Sequence, residues 1–180
     1  RILLGKSDSF SKLNALRWLA HLLGDIHQPI HVGCGFILDN GEKMTLEYDP
    51  KIIIDNKIEH NSDQGGNKLI LPNDQKLHSY WDSGLPGLDN SQFEHIEQEI
   101  TSPDKLEELP ALWASETLLQ ARIAYQSLKI TKKVTDGKKT SYKVSWDSEK
   151  EYLKRCVPIA KIQKDLAASR LAFVLNTIFI

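Results

Sequence analysis

Cysteine, net charge and long apolar runs are all scarce in this sequence, and each scarcity closes something off. Only two cysteines occur, Cys34 and Cys156, too few for a disulfide framework. They are free to pair with each other, to pair with cysteines elsewhere or to stay reduced, so they leave the compartment open. No run of eighteen apolar residues occurs, so no membrane-spanning helix is expected. Twenty-three Lys and Arg against 24 Asp and Glu leave a formal net charge of −1, which argues against a duplex binder working through a general basic field. Composition is blind to bound metal ions, so a protein whose positive charge is carried by metals survives that test. There is no repeat, low-complexity tract or interdomain linker. The chain opens at Arg1 without an initiator Met or a leader, which a processed or truncated chain would equally lack. With 180 residues, 41% hydrophobic and 26% charged, it is expected to build one core and a single domain spanning 1–180.

Against that plain background two histidine- and aspartate-bearing stretches stand out. They are His21-Leu22-Leu23-Gly24-Asp25-Ile26-His27-Gln28-Pro29-Ile30-His31 and His78-Ser79-Tyr80-Trp81-Asp82. Residues four apart on a helix sit about 40° from each other around its axis. His21 with Asp25, and His78 with Asp82, therefore each point an imidazole and a carboxylate the same way. Neutral imidazole nitrogen and carboxylate oxygen form the donor set of a borderline ion, Zn²⁺ above all. His31 supplies a third imidazole just beyond Pro29, where the helix should kink or end. These five candidates exceed what one zinc ion takes, which points to a multinuclear site. One H-x-x-x-D pair is a common accident of helix surfaces; two, with Gly24 and the Gln28-Pro29 break interleaved, favour a metal site. His27 falls off the four-residue register and reads as a polar neighbour of the site rather than a ligand.

The order and spacing of His21-x-x-x-Asp25-x-His27-Gln28-Pro29-x-His31, then Asp63-Gln64-Gly65-Gly66-Asn67, then Leu77-His78-x-x-Trp81-Asp82 resemble the S1/P1 nuclease family. These are trinuclear-zinc single-strand nucleases, related in fold to bacterial zinc phospholipases C. The resemblance extends weakly to Trp113-Ala114-Ser115-Glu116 and to Arg170-Leu171-Ala172-x-x-Leu175-Asn176. It implies a mainly α, phospholipase C/P1 nuclease-like helical fold with short β-hairpin insertions. It also implies roles: His21 on one zinc ion, Asp25 bridging two, and His31, His78 and Asp82 together holding the third. The family's remaining ligands, an N-terminal Trp and further His and Asp residues, precede the region matching Arg1. The chain therefore reads as the C-terminal part of a truncated domain, with one complete zinc set and half of another. Two departures accompany the match: Gln64 where many relatives carry Arg, and an insertion at about 34–62. The Asp63–Asn67 stretch is either a plain turn ahead of Leu69-Ile70-Leu71 or a working loop. In the second case Asp63 is an acceptor that orients a zinc-bound histidine, and Asn67 a polar contact to substrate or loop.

The rest of the chain is mostly helical in pattern. Residues 8–32 read as one amphipathic helix capped by Ser9 or Ser11, with Leu13, Leu16, Trp18, Leu19, Leu22 and Leu23 as its apolar side. Asp39-Asn40-Gly41 between Phe36-Ile37-Leu38 and Met44–Tyr48 predicts a hairpin, with a further extended piece over 52–58. His60 is expected in solvent. Asn73-Asp74 should cap the helix that carries His78, Asp82 and a core-packed Trp81, and that stops near Gly84-Leu85-Pro86-Gly87. Helix is expected over about 91–100, restarting at Ser102-Pro103-Asp104, and again from Pro110 through Leu128. Lys129, Lys132, Lys133, Lys138, Lys139 and Lys143 around Asp136-Gly137 predict a lysine-rich hairpin with a type I′ turn, for which phosphate contact is open but a solvated face is the favoured reading. Pro158 should open the last helix, with Ile159, Ile162, Leu166, Ala167, Leu171, Val174 and Leu175 as its core face.

The family resemblance implies a zinc-dependent phosphodiesterase, both endonuclease and 3′-nucleotidase, that hydrolyses single-stranded DNA and RNA to 5′-phosphate products by zinc-activated water. Its partners would be single-stranded nucleic acid or nucleotides, and its location secreted or periplasmic. One alternative is a zinc phospholipase C on the same scaffold, whose last ligand is expected to be Glu in H-x-x-x-E where this chain has Asp82. The other is a non-catalytic, zinc-stabilised module that lacks the upstream ligands.

Overall fold

A serine and a proline divide the first expected helix. The computed structural model describes residues 3, 5, 11–39, 43–48, 60–89, 91–97 and 106–179. Ser11 stands in extended backbone and its side chain accepts from the Asn14 N–H, which starts α1 (Lys12–Asp25). Pro29 has no N–H to continue the ladder. The chain therefore breaks after Asp25 and restarts as the single turn α2 (Pro29–Val32), with Pro29 in its first turn and Gln28 as cap. The one helix expected over 8–32 is thus two. Its apolar side is also less buried than the pattern suggested: Leu13, Trp18 and Leu22 are more than half exposed, and Leu23 alone of that set is buried.

Two small sheets follow. Strands β1 (Phe36–Asp39), β2 (Met44–Glu47) and β3 (His60–Ser62) form an antiparallel sheet in the order β2-β1-β3, so the strands of the expected hairpin pair, while its turn at Asn40-Gly41 lies outside the described residues. The extended piece expected over 52–58 lies outside the described residues. The second sheet runs β4-β6-β5, with β4 (Leu69–Ile70) parallel to β6 (Lys139–Ser145) and β6 antiparallel to β5 (Lys129–Asp136). The β5–β6 turn takes left-handed backbone at Gly137 (φ 57°) and not at Lys138, so it is not the type I′ turn expected, which needs both.

Between β4 and β5 along the chain, α3 (Leu77–Asp82) is capped by Lys76 without a side-chain bond. Asn73 does not cap it; its side chain instead accepts from the Gln75 N–H in the preceding turn. Residues 91–97 are not helical: Ile96 donates its N–H to the Ser169 hydroxyl at 2.9 Å, and that bond to the last helix replaces a helical one. The restart expected at Ser102 lies outside the described residues. Helix α4 spans Leu109–Tyr125, and α5 runs Glu149–Phe179 with Pro158 inside it. The expectation that Pro158 opens this helix is therefore corrected. Ser148 accepts from the Glu151 N–H at the true start, and Tyr152 and Cys156, both fully buried, pack the turns before the proline. That packing outweighs a penalty of about 3 kcal/mol for interior proline. The buried face of α5 is also more polar than its pattern: Gln163, Asp165, Ser169 and Arg170 are buried while Ile162 is exposed.

The larger core cluster contains Ile30, Ile37, Leu69, Leu77, Trp81 and Tyr152. A smaller one joins Leu23, Leu109, Trp113 and Val174. Because α2 and α3 are rooted in the larger cluster through Ile30, Leu77 and Trp81, His31, His78 and Asp82 are carried to its rim. Trp81 packs in that core and donates its indole N–H to the Tyr152 hydroxyl at 2.9 Å.

Candidate metal centre

All five ligand candidates meet in one chain of contacts. His21 Nε2 lies 3.2 Å from Asp25 Oδ2, and Asp25 Oδ1 lies 3.3 Å from His31 Nδ1. His31 Nε2 lies 2.9 Å from Asp82 Oδ1, and Asp82 Oδ2 lies 3.2 Å from His78 Nε2. The His31 and His78 rings stack, with centroids 4.8 Å apart and planes 3° from parallel. Ligand atoms from His31, His78 and Asp82 lie within 4.8 Å of one another. A cleft of about 470 Å³ opens over them, lined among others by Asp25, His31, Cys34, Gln64 and His78.

Proton counting shows what this arrangement asks for. His78 Nδ1 is 2.7 Å from the Gly65 carbonyl, which only accepts, so Nδ1 carries the proton and Nε2 presents a lone pair. That lone pair faces a carboxylate oxygen of Asp82. His31 faces carboxylates with both nitrogens, yet a neutral imidazole has one proton to share between them. The cluster thus has more lone pairs converging than protons to separate them. A cation at their meeting point removes the conflict, and a His₂Asp set is a standard zinc donor set. The residues present fit a zinc ion.

The supporting contacts come from two segments whose roles the sequence only half disclosed. Gln28 accepts from the Ile30 N–H through Oε1 and donates Nε2–H to Asp82 Oδ1 at 2.9 Å, so the cap of α2 also holds the candidate ligand Asp82 of α3. The group that orients His78 is the Gly65 carbonyl, not the Asp63 carboxylate expected from sequence. Asp63 is fully buried and accepts from the Gly35 and Gly66 N–H groups at 2.9 Å each. Burial pushes its pKa up, against the pull of those N–H groups. The Tyr125 hydroxyl faces the same carboxyl without closing a hydrogen bond of normal geometry. Asp63 thus fastens the loop whose Gly65 carbonyl meets His78. Gly65 (φ 59°) leaves no room for a side chain, since a Cβ there would sit 2.4 Å from the Ile30 carbonyl oxygen. Asn67 turns inward on its own loop, donating to the Gln64 carbonyl at 3.0 Å. Cys34 and Cys156 are both free thiols. Burial raises the pKa of Cys34, which keeps it protonated beside the cleft.

His27 goes elsewhere. It is buried; Nδ1 donates to the Leu23 carbonyl at 2.7 Å and Nε2 accepts from Arg170 at 2.9 Å. Arg170 in turn pairs with Glu116 and lies 5.0 Å over the Trp113 ring. Burial lowers the His27 pKa, which agrees with a neutral ring whose two nitrogens are both engaged. It has no lone pair left for a metal. The weak sequence match at Trp113, Glu116 and Arg170 thus resolves into one polar cluster behind the motif helix.

With this geometry in place, the comparisons are decisive on family and silent on closer kinship. A family model described as S1/P1 Nuclease matches residues 1–180, the whole chain. The chain belongs to the S1/P1 nuclease family. No curated protein and no solved structure matches it. Membership makes the protein a hydrolase of phosphodiester bonds whose family are zinc enzymes acting on nucleic acid. It also suggests the phospholipase C/P1 fold, with which long helices and two small sheets are compatible. Among the described residues no helix is long and apolar enough to cross a membrane.

Proposed function

We propose that this S1/P1 nuclease is a zinc-dependent endonuclease and 3′-nucleotidase that cuts single-stranded DNA and RNA to leave 5′-phosphate ends. The observation that carries the reading is the convergence of His31, His78 and Asp82, whose ligand atoms lie within 4.8 Å of one another. In this reading His31, His78 and Asp82 would hold one zinc ion, and His21 and Asp25 would contribute to the others. Bound zinc supplies Lewis acidity toward a phosphoryl oxygen and brings the pKa of water to near neutrality.

The chain's own residues do the rest. The Gly65 carbonyl keeps the His78 proton on Nδ1, so that Nε2 always offers its lone pair to the centre. Gln28 fixes one Asp82 oxygen with a donated N–H. Asp63 holds the Gly65–Gly66 turn rigid from below. The protein is proposed to work outside the cytoplasm, secreted or periplasmic.

The test is release of 5′-mononucleotides from single-stranded DNA by the full-length protein. The reading expects EDTA to abolish release, zinc to restore it, and His78→Ala to remain inactive with zinc in excess. Hydrolysis of phosphatidylcholine with no nucleotide release would move the protein to phospholipase C chemistry. Zinc binding with no hydrolysis of either substrate would make it a zinc-stabilised module.

A further inference from the structure

The lysines of the β5–β6 hairpin stand beside a second cleft that the metal centre does not use. Residues 129–143 carry six lysines and one aspartate in a chain whose net charge is −1. The cleft, about 810 Å³ in volume, is lined by Lys133, Lys138 and Lys139 of the hairpin and by Lys68 and Lys76 from the segment between β3 and α3. Asp136 is the acid on its wall. Lys133 is partly balanced by Asp39 at 3.7 Å, and Lys68 donates to the Ser62 carbonyl at 2.8 Å. Lys76, Lys138 and Lys139 complete a positive rim. Behind it, Lys132 and Lys143 sit directly opposite each other on neighbouring strands, a like-charge pair that destabilises a hairpin and is relieved at one side by Asp74, 3.3 Å from Lys143. Gln64 lines both this cleft and the one over the metal ligands. The two cavities therefore meet at the Asp63–Asn67 loop.

We propose that this lysine cleft binds the sugar–phosphate backbone of a single-stranded polynucleotide and leads it past Gln64 to the metal centre. The inference rests on the phosphodiesterase reading for its destination, but the binding itself does not need hydrolysis. Ammonium groups on flexible stems recognise phosphates as point charges and read no base. The cleft is thus a sequence-independent track that extends the binding site beyond the nucleotides at the scissile bond. It gives long strands an advantage over dinucleotides, and that advantage fades with salt.

The experiment measures fluorescence anisotropy of a labelled, cleavage-resistant phosphorothioate single strand, about twenty nucleotides long to span the cleft and the centre, with the zinc-loaded full-length protein across a salt series. Lys138→Gln with Lys139→Gln is the test variant, at an exposed turn whose alteration leaves the core alone, and Lys138→Arg with Lys139→Arg is the charge-preserving control. The proposal expects the Gln pair to weaken binding about tenfold at low salt and to lower the log–log salt slope by about 1.4, roughly 0.7 per phosphate contact. The Arg pair should bind as the unaltered protein does. Equal affinity and equal slope for the Gln pair would overturn the proposal. Zinc-dependent cleavage of a dinucleotide, run alongside, reports on the centre alone. Cleavage without lysine-dependent binding would leave the phosphodiesterase standing and remove the track. Lysine-dependent binding without cleavage would keep the cleft as a nucleic-acid site and remove the phosphodiesterase.

Discussion

His31 and His27 are four residues apart on one segment and have opposite fates. Around His31 and His78 the protein supplies carboxylates and too few protons, so nitrogen lone pairs point at a common place. Around His27 it supplies one acceptor, the Leu23 carbonyl, and one donor, Arg170, so both nitrogens are used and the ring is closed to a metal. The first cluster lies at the rim of the core under an open cleft; the second is buried against Trp113. A histidine becomes a ligand or a structural group according to what its second nitrogen is given. The Gly65 carbonyl accepts from His78 Nδ1 and so leaves the Nε2 lone pair open to a metal, whereas Arg170 donates to the His27 lone pair and closes it.

The largest effect should come from taking a ligand away. His78→Ala or Asp82→Ala is expected to lose the zinc held with His31 and all phosphodiesterase activity, read by metal content and nucleotide release, with the fold kept by circular dichroism. His27→Gln should keep the full metal content. Next, Arg170→Met leaves the His27 lone pair and Glu116 without their partner. Arg170 is buried but Glu116 is partly exposed, so the cost is expected to be about 2–3 kcal/mol in urea unfolding, with zinc stoichiometry unchanged.

A smaller effect separates the ligand from the group that aims it. Gly65→Ala meets the Ile30 carbonyl and a left-handed backbone, shifts the Gly65 carbonyl away from His78, and should weaken zinc affinity by about 10- to 100-fold in competition with a chelator. Asp63→Asn, which acts one step further back, should fall at the low end of that range.

The smallest effect distinguishes the clusters by pH. Burial holds the His27 pKa below its usual value, so between that depressed value and about 6.5 the unfolded chain takes up a proton that the folded chain refuses. Stability from this group is whole above that window and is lost as pH falls through it, at no more than about 1.4 kcal/mol per pH unit. Urea titrations in EDTA should show this loss in the unaltered protein and its absence in His27→Asn.

Much of this was legible in the chain, for reasons that are local. The H-x-x-x-D pairs could be read because four-residue spacing fixes a shared face on any helix. The pairing of Phe36–Asp39 with Met44–Glu47 could be read because Asn-Gly between two apolar runs is a local turn signal. The polar face of α5 was not legible, because Gln163, Ser169 and Arg170 are buried by partners distant in sequence: Thr117, the Ile96 backbone and His27. Pro158 misled for the same reason, since packing of Tyr152 and Cys156 overrides a local helix breaker. The orienting group on His78 is a backbone carbonyl and has no letter in the sequence; the paired glycines Gly65-Gly66 were its only mark.

The most direct measurement is anomalous diffraction at the zinc edge from crystals of the zinc-loaded protein. The account predicts a peak about 2.0–2.2 Å from one nitrogen each of His31 and His78 and from an Asp82 oxygen, with none at His27. A peak at His27, or none at the His31–His78–Asp82 cluster in a protein that still releases nucleotides, would contradict it.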